Sequence, residues 1–108
     1  MNHCIEILFF AGCPRWRIAV DRANEAVAAL GLSGVVEVRE RQVENEEEAV
    51  RIRFLGSPTV LVDGRDVELG VTQRDDFGLR CRLYHTDGRP DAAPSVEWIK
   101  NALLGADR

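Results

Sequence analysis

The chain has 108 residues, of which 45% are hydrophobic and 30% charged, and its formal net charge is −4. This length predicts one domain, residues 1–108, with a single core that needs no disulfide staples. The acidic balance disfavours nucleic acid as a partner, because binding phosphates requires a basic face. The apolar run at residues 7–12 is too short for a signal peptide or a membrane span. We therefore expect a cytoplasmic protein with no membrane partner.

The three cysteines, Cys4, Cys13 and Cys81, stand at unrelated spacings. An odd number without a C-x-x-C pair argues against a disulfide framework, and in a reducing compartment it indicates free or catalytic thiols. Cys4 begins a predicted strand, where we expect it to be buried. His3 and His85 lack metal-ligand spacing to any cysteine, so the sequence predicts neither a resident metal nor a cofactor.

The first part of the chain reads as strand, helix and strand. Residues 4–10 are an apolar run typical of a central strand covered on both faces. Cys13 and Pro14 follow it, and Pro14 suits the first turn of a helix. Apolar residues spaced three and four apart predict that helix over residues 16–30. Residues 35–41 alternate apolar and charged side chains, which predicts an edge strand with one solvated face.

The middle of the chain reads as a short helix, a strand and a loop. Asn45 and Glu48 form a capping-box pattern, which predicts a helix that ends near residue 54. The run Thr59–Val62 predicts a strand that closes at an Asp-Gly pair. Residues 65–77 are charged and have no clear period, so we expect a long loop there.

The last elements are a strand over residues 79–85 and a helix over residues 95–104. The alternation of the strand places four side chains on one face that we expect to be buried: Leu79, Cys81, Leu83 and His85. The first strand–helix–strand unit must be parallel, and the last two strands are joined too briefly to be anything but antiparallel. The order β-α-β-α-β-β-α thus predicts an α/β protein with one mixed four-stranded sheet and three helices on its two faces.

Two local motifs agree with this order. Residues 12–16, GCPRW, place a cysteine between the first strand and the first helix, and residues 56–59, GSPT, place Pro58 just before the third strand. Together they resemble the thioredoxin superfamily, in which a cysteine loop opens the first helix and a cis-proline faces it. The resemblance covers residues 4 to about 104. With GLRCRLY at residues 78–84, the chain is also similar to short bacterial thioredoxin-family proteins with a GCPxW motif, sometimes labelled alkylmercury-lyase-like.

Cys13 is the candidate nucleophile. A thiol at the start of a helix lies near unpaired N–H groups that stabilise an anion, and Arg15 and Arg17 add positive charge in the sequence nearby. Such a placement is expected to lower the pKa of the Cys13 thiol and to make it reactive.

The chain departs from the thioredoxin pattern at two positions. Trp16 stands where a dithiol reductase carries its second thiol, and Ile7 stands where thioredoxins carry a buried acid. The usual dithiol mechanism is therefore excluded. Cys81 is the candidate resolving thiol if its Cα comes within about 7 Å of that of Cys13. The alternative is that Cys81 is a small core residue on the buried face of its strand.

The resemblance also implies a binding surface beside the thiol. Pro58 is expected to be cis and to leave a backbone edge for a peptide or thiol ligand. Ser57 and Thr59 flank it and are expected to donate hydrogen bonds there. The cysteine loop contributes the remaining candidates: Pro14, Arg15 and Trp16.

Three functions remain open at this point. The first is thiol–disulfide exchange or thiol capping through Cys13 as a monothiol, with a protein or a low-molecular-weight thiol or disulfide as partner. The second is binding of a soft metal, mercury or copper, by Cys13 and Cys81 as thiolates. The third is a non-catalytic thioredoxin-fold module that pairs with another protein or with itself as a homodimer.

Overall fold

The computed structural model describes residues 3–105. Within that range it contains nine regular elements: β1 (His3–Phe9), α1 (Arg17–Ala29), β2 (Val36–Gln42), α2 (Glu46–Arg51), β3 (Thr59–Val62), β4 (Arg65–Asp66), β5 (Tyr84–Thr86), β6 (Arg89–Asp91) and α3 (Val96–Leu103). None of the helices in this part of the chain combines the length and the apolar content needed to cross a bilayer.

Four strands form a mixed sheet in the order β2-β1-β3-β4. β1 and β2 are parallel because α1 connects them, whereas β3 is antiparallel to both β1 and β4. The predicted α/β class is therefore confirmed, with a four-stranded mixed sheet and three helices in the described residues.

The fourth strand is not the one that the sequence predicted. It is β4, which lies inside the segment 65–77 that we expected to be a loop. Asp63 and Gly64 have φ values of 51° and 86°, so this Asp-Gly pair is the turn of a tight hairpin that leads straight back from β3 into β4. Of the predicted strand 79–85, only its end belongs to a strand, in the separate hairpin β5–β6.

The buried face of segment 79–85 is also opposite to the prediction. Arg82 is 4% exposed and Tyr84 is fully buried, whereas Cys81, Leu83 and His85 are exposed. An alternation of apolar and charged residues predicts that arginines face solvent. That prediction is wrong here because the Arg82 guanidinium is paired inside the protein.

The sheet separates two apolar clusters. Ile5 and Ile7 of β1 pack on one face with residues of α1 and α3. Leu8 points to the other face, where it packs with Ala49 of α2 and with Phe54. The alternation along β1 therefore buries both faces of this central strand, with helices on each side, as its apolar sequence predicted. Cys4, expected to be buried, is only partly so.

Candidate functional site: a pair of thiols

Cys13 lies in the connection between β1 and α1 and is only 3% exposed. Its N–H donates to the carbonyl of Phe10 (3.1 Å), which closes a turn directly after the strand. α1 begins only at Arg17, because Pro14 and the two residues after it form a further turn. The free N–H groups of the helix are therefore further from Cys13 than the sequence led us to expect.

Trp16 fixes this connection to the body of the protein. Its ring is stacked on that of Phe9, with centroids 3.8 Å apart and planes 10° from parallel. The Arg17 guanidinium lies over the same indole, 4.7 Å from its centroid. Of the three loop residues predicted to bind a ligand, Pro14 and Arg15 are exposed, whereas Trp16 is packed inside.

The Ser57–Pro58 peptide bond is cis, as the resemblance implied. The hydroxyls beside it are buried, however. Ser57 is 1% exposed and its Oγ accepts from the N–H of Phe10 (3.3 Å). Thr59 is 3% exposed and its Oγ1 donates to the carbonyl of Gly56 (2.6 Å). Both hydroxyls, which we expected to offer hydrogen bonds to a ligand, are therefore hydrogen-bonded inside the fold.

The backbone of Ser57 is occupied by the chain itself. The Ser57 N–H donates to the carbonyl of Arg80 (2.8 Å), and the Arg82 N–H donates to the carbonyl of Ser57 (2.9 Å). This parallel bridge sets Cys81 beside Ser57. The edge that we expected to be open to a peptide or thiol ligand is thus filled by residues 80–82.

The bridge places the two thiols in contact. Cys81 Sγ donates to Cys13 Sγ at 3.3 Å, and Cys13 Sγ donates in turn to the carbonyl of Ser57 at 3.5 Å. Both cysteines are free thiols. The two sulfurs come from positions 68 residues apart, a separation that no local motif reveals. Cys81 is exposed, so the alternative that it is a buried core residue is wrong.

The environment of Cys81 keeps it protonated. Its pKa is raised above the ordinary value by its hydrogen bond to Cys13, by desolvation and by the charge of Cys13. At neutral pH Cys81 is therefore the donor of the pair, and it presents the protonated sulfur that solvent reaches.

Arg82 is a buried charge that no pattern in the sequence indicated. Its guanidinium donates to both oxygens of Asp66 (2.8 and 3.1 Å), to Glu68 (2.7 Å) and to Thr59 Oγ1 (3.1 Å). Its Nε is buried without a hydrogen-bond partner in the described part of the chain. Burial alone would lower the pKa of Arg82, but the neighbouring Tyr84 and the two carboxylates outweigh it and raise that pKa. Arg82 is therefore charged inside the protein.

Tyr84 completes the attachment of this segment. Its hydroxyl donates to the carbonyl of Pro58 (2.6 Å), and the Arg82 guanidinium lies 4.5 Å from its ring centroid. Burial raises the pKa of Tyr84, so the hydroxyl keeps its proton and stays a donor. Residues 80–84 are thus held against the cis-proline loop by backbone and side-chain bonds together.

The remaining candidates lie elsewhere. Cys4 is near the opposite end of β1 from the cysteine loop, and His3 beside it contacts Asp63 through Nδ1. His85 is exposed on the β5–β6 hairpin. Within residues 3–105, no three His, Cys, Asp or Glu side chains converge as metal ligands.

No protein-family model matches the chain, and no curated protein or solved structure matches it significantly. Fold and site together define a mixed α/β protein in which two thiols from distant parts of the chain meet at the surface.

Proposed function

We propose that this protein is a thioredoxin-like thiol–disulfide exchange protein of a reducing compartment such as the cytoplasm, and that Cys13 and Cys81 are its redox pair. The observation that carries the proposal is the 3.3 Å contact between two free thiols. A disulfide has an S–S distance of about 2.05 Å, so oxidation requires the sulfurs to approach by only about 1.3 Å. We therefore propose exchange through two thiols in place of the single-thiol mechanism that the absence of a C-x-x-C pair suggested.

The difference in accessibility between the two thiols supports a division of their roles. Cys81 is exposed, whereas Cys13 is 3% exposed beneath it. A partner sulfur therefore reaches Cys81 first, and Cys13 is the resolving thiol. These roles are the reverse of those expected from the sequence.

The exchange balances without a cofactor. In the dithiol form, Cys81 loses its proton and attacks a partner disulfide, which forms a mixed disulfide and releases one partner thiolate. Cys13 then loses its proton and attacks Cys81 Sγ, which releases the second partner thiolate and leaves the Cys13–Cys81 disulfide. The two protons go to the two released thiolates, and two electrons pass from the protein to the partner. A protein or low-molecular-weight thiol reverses both steps.

Two adjacent thiolates also suit a soft ion such as Cu(I) or Hg(II). The geometry favours exchange instead, because the sulfurs contact one another and leave no space for an ion between them. Metal binding at this pair would require them to separate.

The test is the reaction of the reduced protein with a chromogenic aromatic disulfide, followed by mass spectrometry. All proteins carry Cys4→Ser, so that only the pair reacts. With both cysteines present, we expect release of two equivalents of aromatic thiol and formation of the internal disulfide. Cys13→Ser should release one equivalent and stop at a mixed disulfide on Cys81, and Cys81→Ser should react far more slowly. Equal rates in Cys81→Ser, or stable adducts on both cysteines of the unsubstituted pair, would contradict the proposal.

A further inference from the structure

The position of Cys81 depends on its immediate neighbours. Between β4 and β5 the chain forms no regular strand, and the bridge to Ser57 is the backbone pairing that Cys81 itself lies in. A thiol in an irregular segment has the conformational freedom of that segment unless side chains remove it. Its contact with Cys13 therefore requires an anchor.

The location and the contacts of Arg82 suit it to anchor Cys81. It follows Cys81 directly and reaches into the hairpin formed by β3 and β4. There it meets Thr59 of β3, Asp66 of β4 and Glu68 just beyond. The guanidinium side chain is 1% exposed, so water does not compete for these bonds.

Stability is a poor explanation for this network. Removing a guanidinium and carboxylates from water costs free energy that their attraction commonly fails to recover, and apolar side chains of similar size are often as stable in such places. Here one nitrogen, Nε, is also left without a partner among the described residues. What the planar guanidinium provides is a fixed direction, because two of its N–H groups bind both oxygens of Asp66 at once.

We infer that Arg82 is a positioning residue for the redox pair: its buried ion pairs with Asp66 and Glu68 hold Cys81 against Cys13. This inference rests on the proposed function. The hydrogen bonds of the Arg82 guanidinium go to Thr59, Asp66 and Glu68 and not to a sulfur, so we expect it to act through the backbone that it shares with Cys81. Its loss should therefore change how often the two thiols meet rather than their chemistry.

The quantity to measure is the effective concentration of the two thiols. It is obtained by equilibrating each protein, in the Cys4→Ser background, with reduced and oxidised glutathione and quantifying dithiol and internal disulfide. Because small displacements of reacting groups cost up to about a hundredfold, we expect Arg82→Gln to lower the effective concentration about 10- to 100-fold. Circular dichroism and thermal unfolding establish that the variant is folded.

Arg22→Gln is the matched control. Arg22 is a half-buried arginine that binds Asp91 (3.0 Å) and the carbonyls of Ala93 and Pro94, and these partners lie outside residues 80–82. It should lose stability and keep the effective concentration of the original pair within roughly twofold. If the role of Arg82 were only structural, Arg82→Gln would also lose stability and keep its effective concentration. A lower effective concentration in Arg82→Gln alone therefore indicates a positioning role.

If Arg82→Gln does not fold, Glu68→Gln tests whether the ion pairs of Arg82 position Cys81. It keeps the bidentate contact to Asp66 and removes only the charge of the 2.7 Å partner. We expect a several-fold lower effective concentration. An unchanged value in a folded Arg82→Gln or Glu68→Gln protein would overturn the inference alone. Failure of the unsubstituted pair to form any internal disulfide would instead overturn the proposed function and the inference with it.

Discussion

Cys81 lies beside Ser57 in a parallel bridge, in which the two backbone groups of Ser57 are bonded to the residues on either side of Cys81. Ser57 also accepts from the Cys13 thiol through its carbonyl. One residue next to the cis-proline thus contacts both halves of the thiol pair. The pair is therefore built by the cis-proline loop and not by a local cysteine motif.

The close approach of the two segments requires glycine at position 56. Gly56 has φ +125°, and a Cβ there would lie 2.9 Å from Arg82 Cβ and 3.1 Å from the Arg80 carbonyl. Gly56→Ala should push residues 80–82 away from Ser57, lower the free energy of unfolding by more than about 1 kcal/mol and weaken internal disulfide formation. Denaturant unfolding and the glutathione equilibrium measure the two effects.

Gly34→Ala is the control for this prediction. Its φ is not in the left-handed region and nothing lies within 4 Å of an added Cβ. It should change neither quantity measurably. If Gly56→Ala behaved like Gly34→Ala, the close packing of residues 80–82 on the cis-proline loop would be disproved.

The pH dependence of alkylation tests the state of Cys81. Only the thiolate reacts with iodoacetamide, and the pKa of Cys81 is raised mainly by its hydrogen bond to Cys13. In the Cys4→Ser background, the alkylation rate of Cys81 should therefore rise with a midpoint above the ordinary cysteine value of about 8.5. Peptide mapping by mass spectrometry at a series of pH values gives this profile.

Replacing Cys13 removes the main cause of the raised pKa of Cys81. In Cys13→Ser a smaller hydroxyl replaces the sulfur that accepts the Cys81 hydrogen bond, so the midpoint for Cys81 alkylation should move down towards the ordinary value. An identical profile with and without Cys13 would mean that the two thiols do not interact in solution.

Many of the helices and strands were predictable from the sequence because the patterns that indicate them are local. Short apolar runs located β1 and β3, and helical spacing and capping patterns located the helices, to within a few residues. The helix cap predicted at Asn45 is in place, since its side chain accepts from the N–H of Glu48. The cis bond at Pro58 followed from a short motif.

The site itself was less predictable because it is non-local. The Cys13–Cys81 contact joins residues 68 positions apart. The burial of Arg82 depends on its pairing with Asp66 of β4 and with Glu68, which are also distant from it in the sequence. A charged residue in an alternating pattern gives no sign that its partners are inside. Because we assumed that charged residues face solvent, we predicted the wrong face for Cys81. For the same reason we predicted a loop where the charged residues of β4 form a strand.

Tyr84 is the single tyrosine of the chain, so its titration is directly observable. Burial raises its pKa in the folded protein, so its ultraviolet absorbance change should begin well above pH 10, the ordinary tyrosine value. A raised pKa favours the folded state below the unfolded value and loses that contribution as the pH rises. Stability should therefore fall above about pH 10, and part of this fall should vanish in Tyr84→Phe. A tyrosine that titrated normally in the folded protein would contradict the burial of Tyr84.

The most direct test of the central claim is peptide mapping of the unsubstituted protein after equilibration in a glutathione redox buffer. We expect one reversible transition in which the protein loses two hydrogens and yields a peptide pair linked through Cys13 and Cys81, with Cys4 outside the bridge. Separate glutathione adducts on Cys13 and Cys81, or two thiols that stay free under oxidising conditions, would contradict it.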